Sequence, residues 1–162
     1  PTEEGVEVGP LARKEQVDFL ASQVQDAVDK GAQLLHGGKT PERKGYFFEP
    51  AVLTNVNHDM RIMREESFGP IVGIMKVAND DEAIELMNDT EYGLTAAVFT
   101  ANEEHANAIM QKLNSGTVYW NCCDRVSGAL PWSGRRNSGL GTTLSHLGIR
   151  AFVQPKGWHL RG

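Results

Sequence analysis

The chain has 162 residues, of which 40% are hydrophobic and 23% charged, and its formal net charge is -5 at pH 7. This length is enough to bury a hydrophobic core, and the composition is that of a folded protein rather than a disordered one. The negative charge argues against a nucleic-acid partner, and no apolar run approaches the ~18 residues of a membrane span. We therefore expect a cytoplasmic globular protein with no nucleic-acid or membrane partner.

The two cysteines, Cys122 and Cys123, are adjacent. Adjacent cysteines bridge only through a strained ring, so they do not indicate the disulfide framework of a small secreted protein. No activating base lies close to them in the sequence, and we interpret both as buried structural residues. The chain begins at Pro1 without an initiator methionine, and we expect it to be a segment of a longer protein.

The first half of the chain predicts one helix and several strands. Apolar residues at helical spacing indicate a helix that ends at Lys30-Gly31. Strands are expected at Gln33 to His36 and within a β-rich stretch over residues 46–53. Ile71 to Val77 is apolar on both faces, which predicts a buried strand. The predicted buried face of the helix consists of Val17, Leu20, Val24 and Val28.

Two further helices are predicted in the second half. Asn79 and Glu82 form a capping box at the start of one helix. Asn102 caps the next helix, and Gly116 is expected to stop it. The side chains predicted to be buried are Ala83, Ile84, Leu86 and Met87 on the first of these helices, and Ala106, Ile109, Met110 and Leu113 on the second.

Strands over residues 94–99 and 117–120 alternate with these two helices. The order strand, helix, strand, helix, strand predicts two crossover units in an open, mostly parallel twisted sheet with helices packed on it, which is the α/β fold class. A short helix over residues 143–150 and a strand near Phe152 complete the predicted elements. We expect residues 1–162 to form a single partial domain.

Two carboxylates and an aromatic ring, Glu65, Glu66 and Phe68, precede the apolar strand of the first half. A carboxylate that faces a cleft accepts hydrogen bonds from both hydroxyls of a ribose, and a neighbouring ring covers the apolar side of the sugar. Alternatively, the carboxylates are solvated or paired with Arg61 and Arg64 while Phe68 lies in the core. The residue types alone leave both interpretations open.

Helical and strand periodicity is lost between Asn121 and Gly141, which predicts a long loop at the end of a strand, where α/β proteins carry functional residues. Its glycines lack the Lys-Ser or Lys-Thr of a phosphate-binding loop, which excludes that function. Trp132 either walls an apolar pocket or fills the core. The five histidines show no metal-ligand spacing, and no metal site is predicted.

A series of motifs resembles the aldehyde dehydrogenase family. The motifs are Glu65-Glu66-Ser67-Phe68-Gly69-Pro70, Tyr92-Gly93-Leu94, Val98-Phe99-Thr100, Ser115-Gly116-Thr117-Val118 with Asn121, and Pro131-Trp132-Ser133-Gly134 followed by Arg136 and Ser138-Gly139. The last is similar to the family's Pro-Phe-Gly-Gly-x-Lys-x-Ser-Gly signature. Together the motifs cover nearly the whole chain, and they resemble the C-terminal part of the family's catalytic domain.

The resemblance implies a chemistry whose central residues lie elsewhere. In that family a cysteine attacks an aldehyde to form a thiohemiacetal, which passes hydride to NAD or NADP, and a glutamate base usually assists hydrolysis of the thioester. The resemblance places the cysteine, the base and the nucleotide-binding domain upstream of these residues. Neither Cys122 nor Cys123 matches the nucleophile, so no catalytic residue is expected here and the chain alone should be inactive.

What the resemblance carries over is a set of binding residues. Glu66 matches the glutamate that binds the hydroxyls of the nicotinamide-side ribose, and Phe68 matches the aromatic beside that ribose and the ring. The loop from Asn121 to Trp132 matches the lining of the aldehyde tunnel, with Trp132 at the position of an aromatic close to the substrate. We expect Glu66 and Trp132 to border one cleft.

The chain departs from the family signature at Trp132 for Phe, Ser133 for Gly and Arg136 for Lys, which predicts a bulkier tunnel wall and leaves the aldehyde undetermined. Arg125, in the same loop, either pairs with the carboxylate of a semialdehyde substrate or is solvated. The complete enzyme is expected to use NAD or NADP and to form a homo-oligomer. The alternative is a non-catalytic binding or oligomerisation module derived from that fold.

Overall fold

The computed structural model of the protein describes residues 4–123 and 125–162. The chain divides into two compact units, Pro1–Val77 and Ala78–Gly162. Among the described residues, the first unit contains one α-helix and three strands, and the second contains three α-helices and two strands. In chain order the elements are α1 (Lys14–Asp29), β1 (Gln33–His36), β2 (Ala51–Thr54), β3 (Ile71–Ile74), α2 (Asp80–Asn88), β4 (Thr95–Val98), α3 (Glu103–Met110), β5 (Thr117–Trp120) and α4 (Ser145–Arg150), with short 3-10 turns at Arg61–Met63 and Arg136–Ser138.

The core of the first unit lies between α1 and a three-stranded sheet. Strand β2 is central, pairing antiparallel with β1 and parallel with β3.

The predicted helix α1 is confirmed, and its end is marked by Gly31 at a φ of +98°. One predicted core position is wrong: Val28 is 39% exposed, and Ala27 is buried instead. At 100° per residue, Ala27 falls within the apolar stripe and Val28 at its edge. The buried residues of this unit's core are Val17, Leu20, Val24, Ala27, Ala32, Phe48, Ala51, Leu53, Val56 and Met60.

Strand β3 is half-buried, so the prediction of burial on both faces is wrong. Val72 and Ile74 are 52% and 51% exposed, whereas Ile71 packs against the core. The strand forms one edge of its sheet, and its burial alternates along the chain. Alternation of this kind means that one face of the strand has apolar side chains that the described residues do not cover.

The second unit contains a parallel pair of strands. Strands β4 and β5 pair in register from Thr95 opposite Thr117 to Val98 opposite Trp120, and α3 connects them. This confirms one crossover unit and, with the β2–β3 pair, the α/β class with mostly parallel pairing. Strands β1 to β3 form one sheet and strands β4 and β5 form another, whereas the sequence predicted a single sheet.

Both predicted helix caps are confirmed. The side-chain oxygen of Asn79 accepts a hydrogen bond from the Glu82 amide at 2.9 Å, and that of Asn102 accepts one from the His105 amide at 3.0 Å. The Glu82 carboxylate reaches back to the Ala78 amide at 2.6 Å, one residue earlier than a standard capping box. Each cap satisfies an amide that the first helical turn leaves without an intrahelical partner.

The burial predicted for α2 and α3 is correct only in part. Helix α2 has no buried residue, and Met87 is 39% exposed. Helix α3 buries Ala106 and Ile109 and ends at Met110, before Gly116. Beyond α4, which confirms the last predicted helix, no strand is formed in the described residues, and Phe152 is 90% exposed. The strand predicted near Phe152 is therefore wrong.

Replacement of Leu20 by alanine should destabilise the first unit most clearly. Leu20 is fully buried, and its removal leaves a cavity between α1 and the segment around Gly69. The expected loss in the free energy of unfolding is about 2–5 kcal/mol. Val28→Ala, on the exposed side of the same helix, is the matched control and should change it by less than about 1 kcal/mol. Urea unfolding measures both, and equal losses would contradict this packing.

Candidate functional site

The two adjacent carboxylates have different surroundings. Arg61 Nε donates to both carboxylate oxygens of Glu65, at 2.9 and 3.0 Å. The Gln23 side-chain amide donates to the same carboxylate at 3.3 Å. The hydrogen bond from Arg61 is the main reason that the pKa of Glu65 lies below its usual value, with Gln23 lowering it further and partial burial opposing both. For Glu65, pairing with an arginine is thus the correct alternative.

Glu66 and Phe68 remain available to a ligand. Glu66 is exposed, and its side chain has no hydrogen bond to any of the described residues. Phe68 is 77% exposed, so the interpretation of its ring as core is wrong. The ring lines a cavity of about 230 Å³ together with Leu11, Ala12, Arg13 and Gln16. A volume of this size accommodates part of a cofactor rather than a whole dinucleotide.

Two of the predicted site residues have left-handed backbones. Phe68 has a φ of +47° and Asn121 a φ of +51°. Asparagine tolerates this region, whereas a bulky aromatic residue rarely adopts it. Such conformations concentrate at binding and catalytic sites, where the surrounding structure holds them in place. The backbone at Phe68 is therefore an independent indication that its position matters.

Asn121 fixes the carboxyl ends of the β4–β5 pair. Its side-chain oxygen accepts from the Thr100 amide, and its side-chain nitrogen donates to the Thr100 carbonyl, each at 2.9 Å. The indole nitrogen of Trp120 donates to the same carbonyl at 2.9 Å. Much of the hydrogen-bonding capacity of Asn121 is consequently used within the protein, which makes its role in the loop at least partly structural.

The rest of the loop is attached to the same unit by backbone contacts. The carbonyl of Arg125 accepts from the Tyr119 hydroxyl at 3.1 Å, and the residue is exposed. Trp132 is half-buried and forms a two-bond bridge with Thr143, with both N···O distances at 2.8 Å. Asn121, Arg125 and Trp132 therefore belong to one loop of the second unit. Glu66 belongs to the first unit, and the cleft predicted between Glu66 and Trp132 stays a prediction.

Three of the glycine-containing motifs meet at Gly93. Its amide donates to the Ser138 hydroxyl at 2.9 Å, and its carbonyl accepts from the amides of Gly116 and Arg135 at 2.9 and 3.1 Å. A Cβ on Gly93 would lie 2.7 Å from the Asn114 carbonyl oxygen, so only glycine fits. Three motifs that are distant in sequence thus converge on one buried backbone unit, which shapes the loop that bears Trp132.

Arg136, which replaces the lysine of the family signature, binds the end of α2. Its guanidinium donates to the Asn88 carbonyl at 2.7 Å and also to the Thr90 carbonyl. A positive charge at a helix C-terminus satisfies free carbonyls and complements the helix dipole. This contact accounts for a basic residue at this position without any ligand.

The remaining sequence expectations concern thiols, metals and membranes. Cys122 is half-buried and Cys123 exposed, so the interpretation of both as buried structural residues is wrong. In the part of the chain that the structure describes, no three His, Cys, Asp or Glu side chains lie where they could share a metal ion. No helix there combines the length and the apolar character needed to cross a membrane.

Sequence reasoning missed Gln16 and Gln23, two glutamines of α1 whose side chains contact the segment that holds Glu66 and Phe68. Each immediately precedes a buried valine, Val17 and Val24. A polar residue repeated seven positions apart beside an apolar helical stripe was the available signal.

The Arg61–Glu65 pair should make stability depend on acid pH. Because the folded-state pKa of Glu65 is lowered, the pair contributes stability above the carboxyl's usual pKa of about 4.5 and loses it as the pH falls through the lower folded value. Glu65→Gln should therefore lose less stability than wild type between about pH 5 and pH 3. Glu66→Gln is the matched control and should follow the wild-type curve. Thermal unfolding measured across this pH range tests the prediction. The same dependence of stability on pH in all three proteins would contradict the pairing.

Comparison with known proteins agrees with the motif series. The sequence profile of the family described as "Aldehyde dehydrogenase family" matches residues 1–157. The chain is 40% identical over 158 residues to the chloroplastic betaine aldehyde dehydrogenase of Beta vulgaris, covering 96% of this chain and 32% of that protein. It is 39% identical over 156 residues to the succinate-semialdehyde dehydrogenase [NADP(+)] of Deinococcus radiodurans, covering 96% and 33%.

Solved structures show the same relationship. Lactaldehyde dehydrogenase from Escherichia coli superposes with a TM-score of 0.89 at 32% identity, covering 94% of this chain and 32% of that one. Betaine aldehyde dehydrogenase from Staphylococcus aureus, in complex with NAD+, gives a TM-score of 0.85 at 37% identity over 93% and 30%. The chain spans about a third of the length of the curated relatives it matches. By its motifs, its fold and these relatives, the chain belongs to the aldehyde dehydrogenase family.

Proposed function

We propose that these residues are part of an NAD- or NADP-dependent aldehyde dehydrogenase, which oxidises an aldehyde to a carboxylic acid through a thiohemiacetal on a cysteine supplied from outside this segment. The segment contributes binding residues for the cofactor and for the substrate, and on its own it is inactive. The observation that carries the proposal is the contrast between Glu65, which is bound to Arg61, and Glu66, which is exposed without such a partner and lies two residues before the exposed Phe68.

The cofactor side of the proposal rests on what these two side chains do chemically. NAD or NADP supplies the hydride acceptor when it is bound. An ionised carboxylate is a pure acceptor with two oxygens, which suits the two hydroxyls of the nicotinamide-side ribose. The Phe68 ring offers an apolar face to the sugar and the adjoining ring. The Staphylococcus aureus neighbour was solved with NAD+ and the Deinococcus radiodurans relative is named for NADP(+), which supports a nicotinamide cofactor of either form.

On the substrate side, we propose that the loop bearing Asn121, Arg125 and Trp132 lines the path of the aldehyde. The half-buried Trp132 indole walls that path, and Asn121 holds the start of the loop through its pairing with Thr100. The relatives are named for a cationic aldehyde, betaine aldehyde, and for an anionic one, succinate semialdehyde. An exposed arginine in this loop favours the anionic class.

The proposal extends to assembly and location. We place both units in one catalytic domain of a cytoplasmic homo-oligomer. Support for the assembly comes from apolar side chains that are exposed in the described structure, among them Val72, Ile74 and Phe152. Exposed apolar area of this kind is usually covered by further protein in the assembled state.

Replacing Glu66 by glutamine in the complete enzyme should weaken cofactor binding. The change removes the charge and one acceptor while conserving size, so the Kd for NADH is expected to rise about 10- to 100-fold. Glu42→Gln, at another exposed carboxylate of the same unit, is the control and should bind as wild type. Fluorescence titration with NADH measures both, and unchanged affinity for the Glu66 variant would refute the cofactor assignment.

Replacing Arg125 by alanine should distinguish substrates by charge. If the guanidinium pairs with a substrate carboxylate, kcat/KM for an acidic semialdehyde falls about tenfold more than kcat/KM for a neutral aldehyde of the same length. Steady-state kinetics with both substrates test this, with the neutral aldehyde as the internal control. Equal losses for the two aldehydes would show that Arg125 is only a solvated residue.

A further inference from the structure

We propose that α1 acts as a template that presents Glu66 and Phe68 to their ligand, and that Gln16 and Gln23 are its positioning residues. The inference rests on the proposed function for the identity of that ligand, a nicotinamide cofactor. The positioning of residues 65–69 by the two glutamines follows from contacts within the first unit and does not depend on the ligand.

The segment from Glu65 to Gly69 touches α1 at every second residue. Gln23 donates to the Glu65 carboxylate at 3.3 Å, and Gln16 donates to the carbonyl of Ser67. A Cβ on Gly69 would lie 2.3 Å from a methyl carbon of Leu20, so only glycine permits this approach. The two residues between these contacts are Glu66 and Phe68, and both are exposed.

The helix geometry makes the three contacts possible together. Residues seven apart on an α-helix differ by about 20° around its axis, so Gln16 and Gln23 share one face. Leu20 lies between them, one turn from each, and is fully buried. One face of α1 therefore provides two amide donors and an apolar contact in a row.

Gln23 is an unfavourable residue for the stability of the core. Its side chain is fully buried, and its side-chain oxygen has no hydrogen-bond partner among the described residues. A buried polar atom without a partner is unfavourable, and an apolar residue of similar volume avoids that cost. The hydrogen bond to Glu65 is the contact that such a replacement would lose. This favours a role for Gln23 in orienting Glu65 and, through the backbone, the adjacent Glu66.

The backbone of Phe68 needs support on both sides. Its positive φ is unfavourable for an aromatic residue and persists only where flanking contacts fix it. Gln16 fixes the preceding carbonyl at Ser67, and the packing on Leu20 fixes Gly69 directly after it. Loss of the Gln16 donor should let the segment relax and carry both exposed side chains away from their positions.

Binding measurements on the complete enzyme test this role. Gln16→Leu and Gln23→Leu should each raise the Kd for NADH about three- to tenfold. Gln16→Lys, which keeps an N–H donor, should restore affinity. The control is Gln25→Leu, the same change at an exposed glutamine of α1 whose side chain bonds to Asp29 on the same helix. In a Glu66→Gln, Phe68→Ala background the Gln16 and Gln23 changes should have no further effect; the same rise in Kd there would overturn the positioning role.

Hydrogen exchange of residues 65–69 separates this inference from the proposed function. Gln16 is only half-buried, so Gln16→Leu should fold, and faster exchange of these amides than in Gln25→Leu supports positioning whatever the ligand is. If Glu66→Gln binds NADH as wild type while exchange is faster in Gln16→Leu, the cofactor assignment fails and the positioning role stands. Exchange unchanged in both Gln16→Leu and Gln23→Leu would overturn the positioning role.

Discussion

The contact between α1 and residues 65–69 is the constraint on which the candidate site depends. Two adjacent glutamates have the same intrinsic chemistry, and their difference arises from position. Glu65 is bound by Arg61 and Gln23, while the Glu66 side chain has no hydrogen bond to any of the described residues. The helix face that buries Leu20 in the core also holds, through Gln23, the carboxylate that pairs with Arg61. Core packing and the contacts to the candidate site thus share one surface of one helix.

The second unit uses backbone contacts for a comparable purpose. Gly93, in the turn before β4, is hydrogen-bonded to Gly116 before β5 and to Arg135 and Ser138 in the loop that bears Trp132. The absence of a side chain on Gly93 lets these three segments meet. Asn121 and Thr100 then tie the ends of β4 and β5 together. These contacts leave Trp132 on a loop anchored at both ends, which is how a rigid scaffold holds binding residues in place.

Much of the fold could be predicted from the sequence because its signals are local. The helix caps at Asn79 and Asn102 and the apolar stripe of α1 each depend on a few neighbouring residues. Strand β3 could not be predicted as half-buried, because its composition does not say which face its neighbours cover. The predicted burial of Cys122 and Cys123 was wrong for the same reason. For the site, the sequence left open whether Glu65 and Glu66 serve a ligand or are solvated or paired with Arg61 and Arg64. The contact from Gln23 to Glu65 joins residues 42 apart, which the local pattern does not show.

The most direct measurement is a crystal structure of the complete enzyme with NAD or NADP bound. The expected result is the Glu66 carboxylate within about 3 Å of both hydroxyls of the nicotinamide-side ribose. Glu65 should still be bound to Arg61 and Gln23, and the Phe68 ring should lie against the sugar. A structure in which Glu65 leaves Arg61 to bind the ribose while Glu66 points into solvent would contradict the central claim.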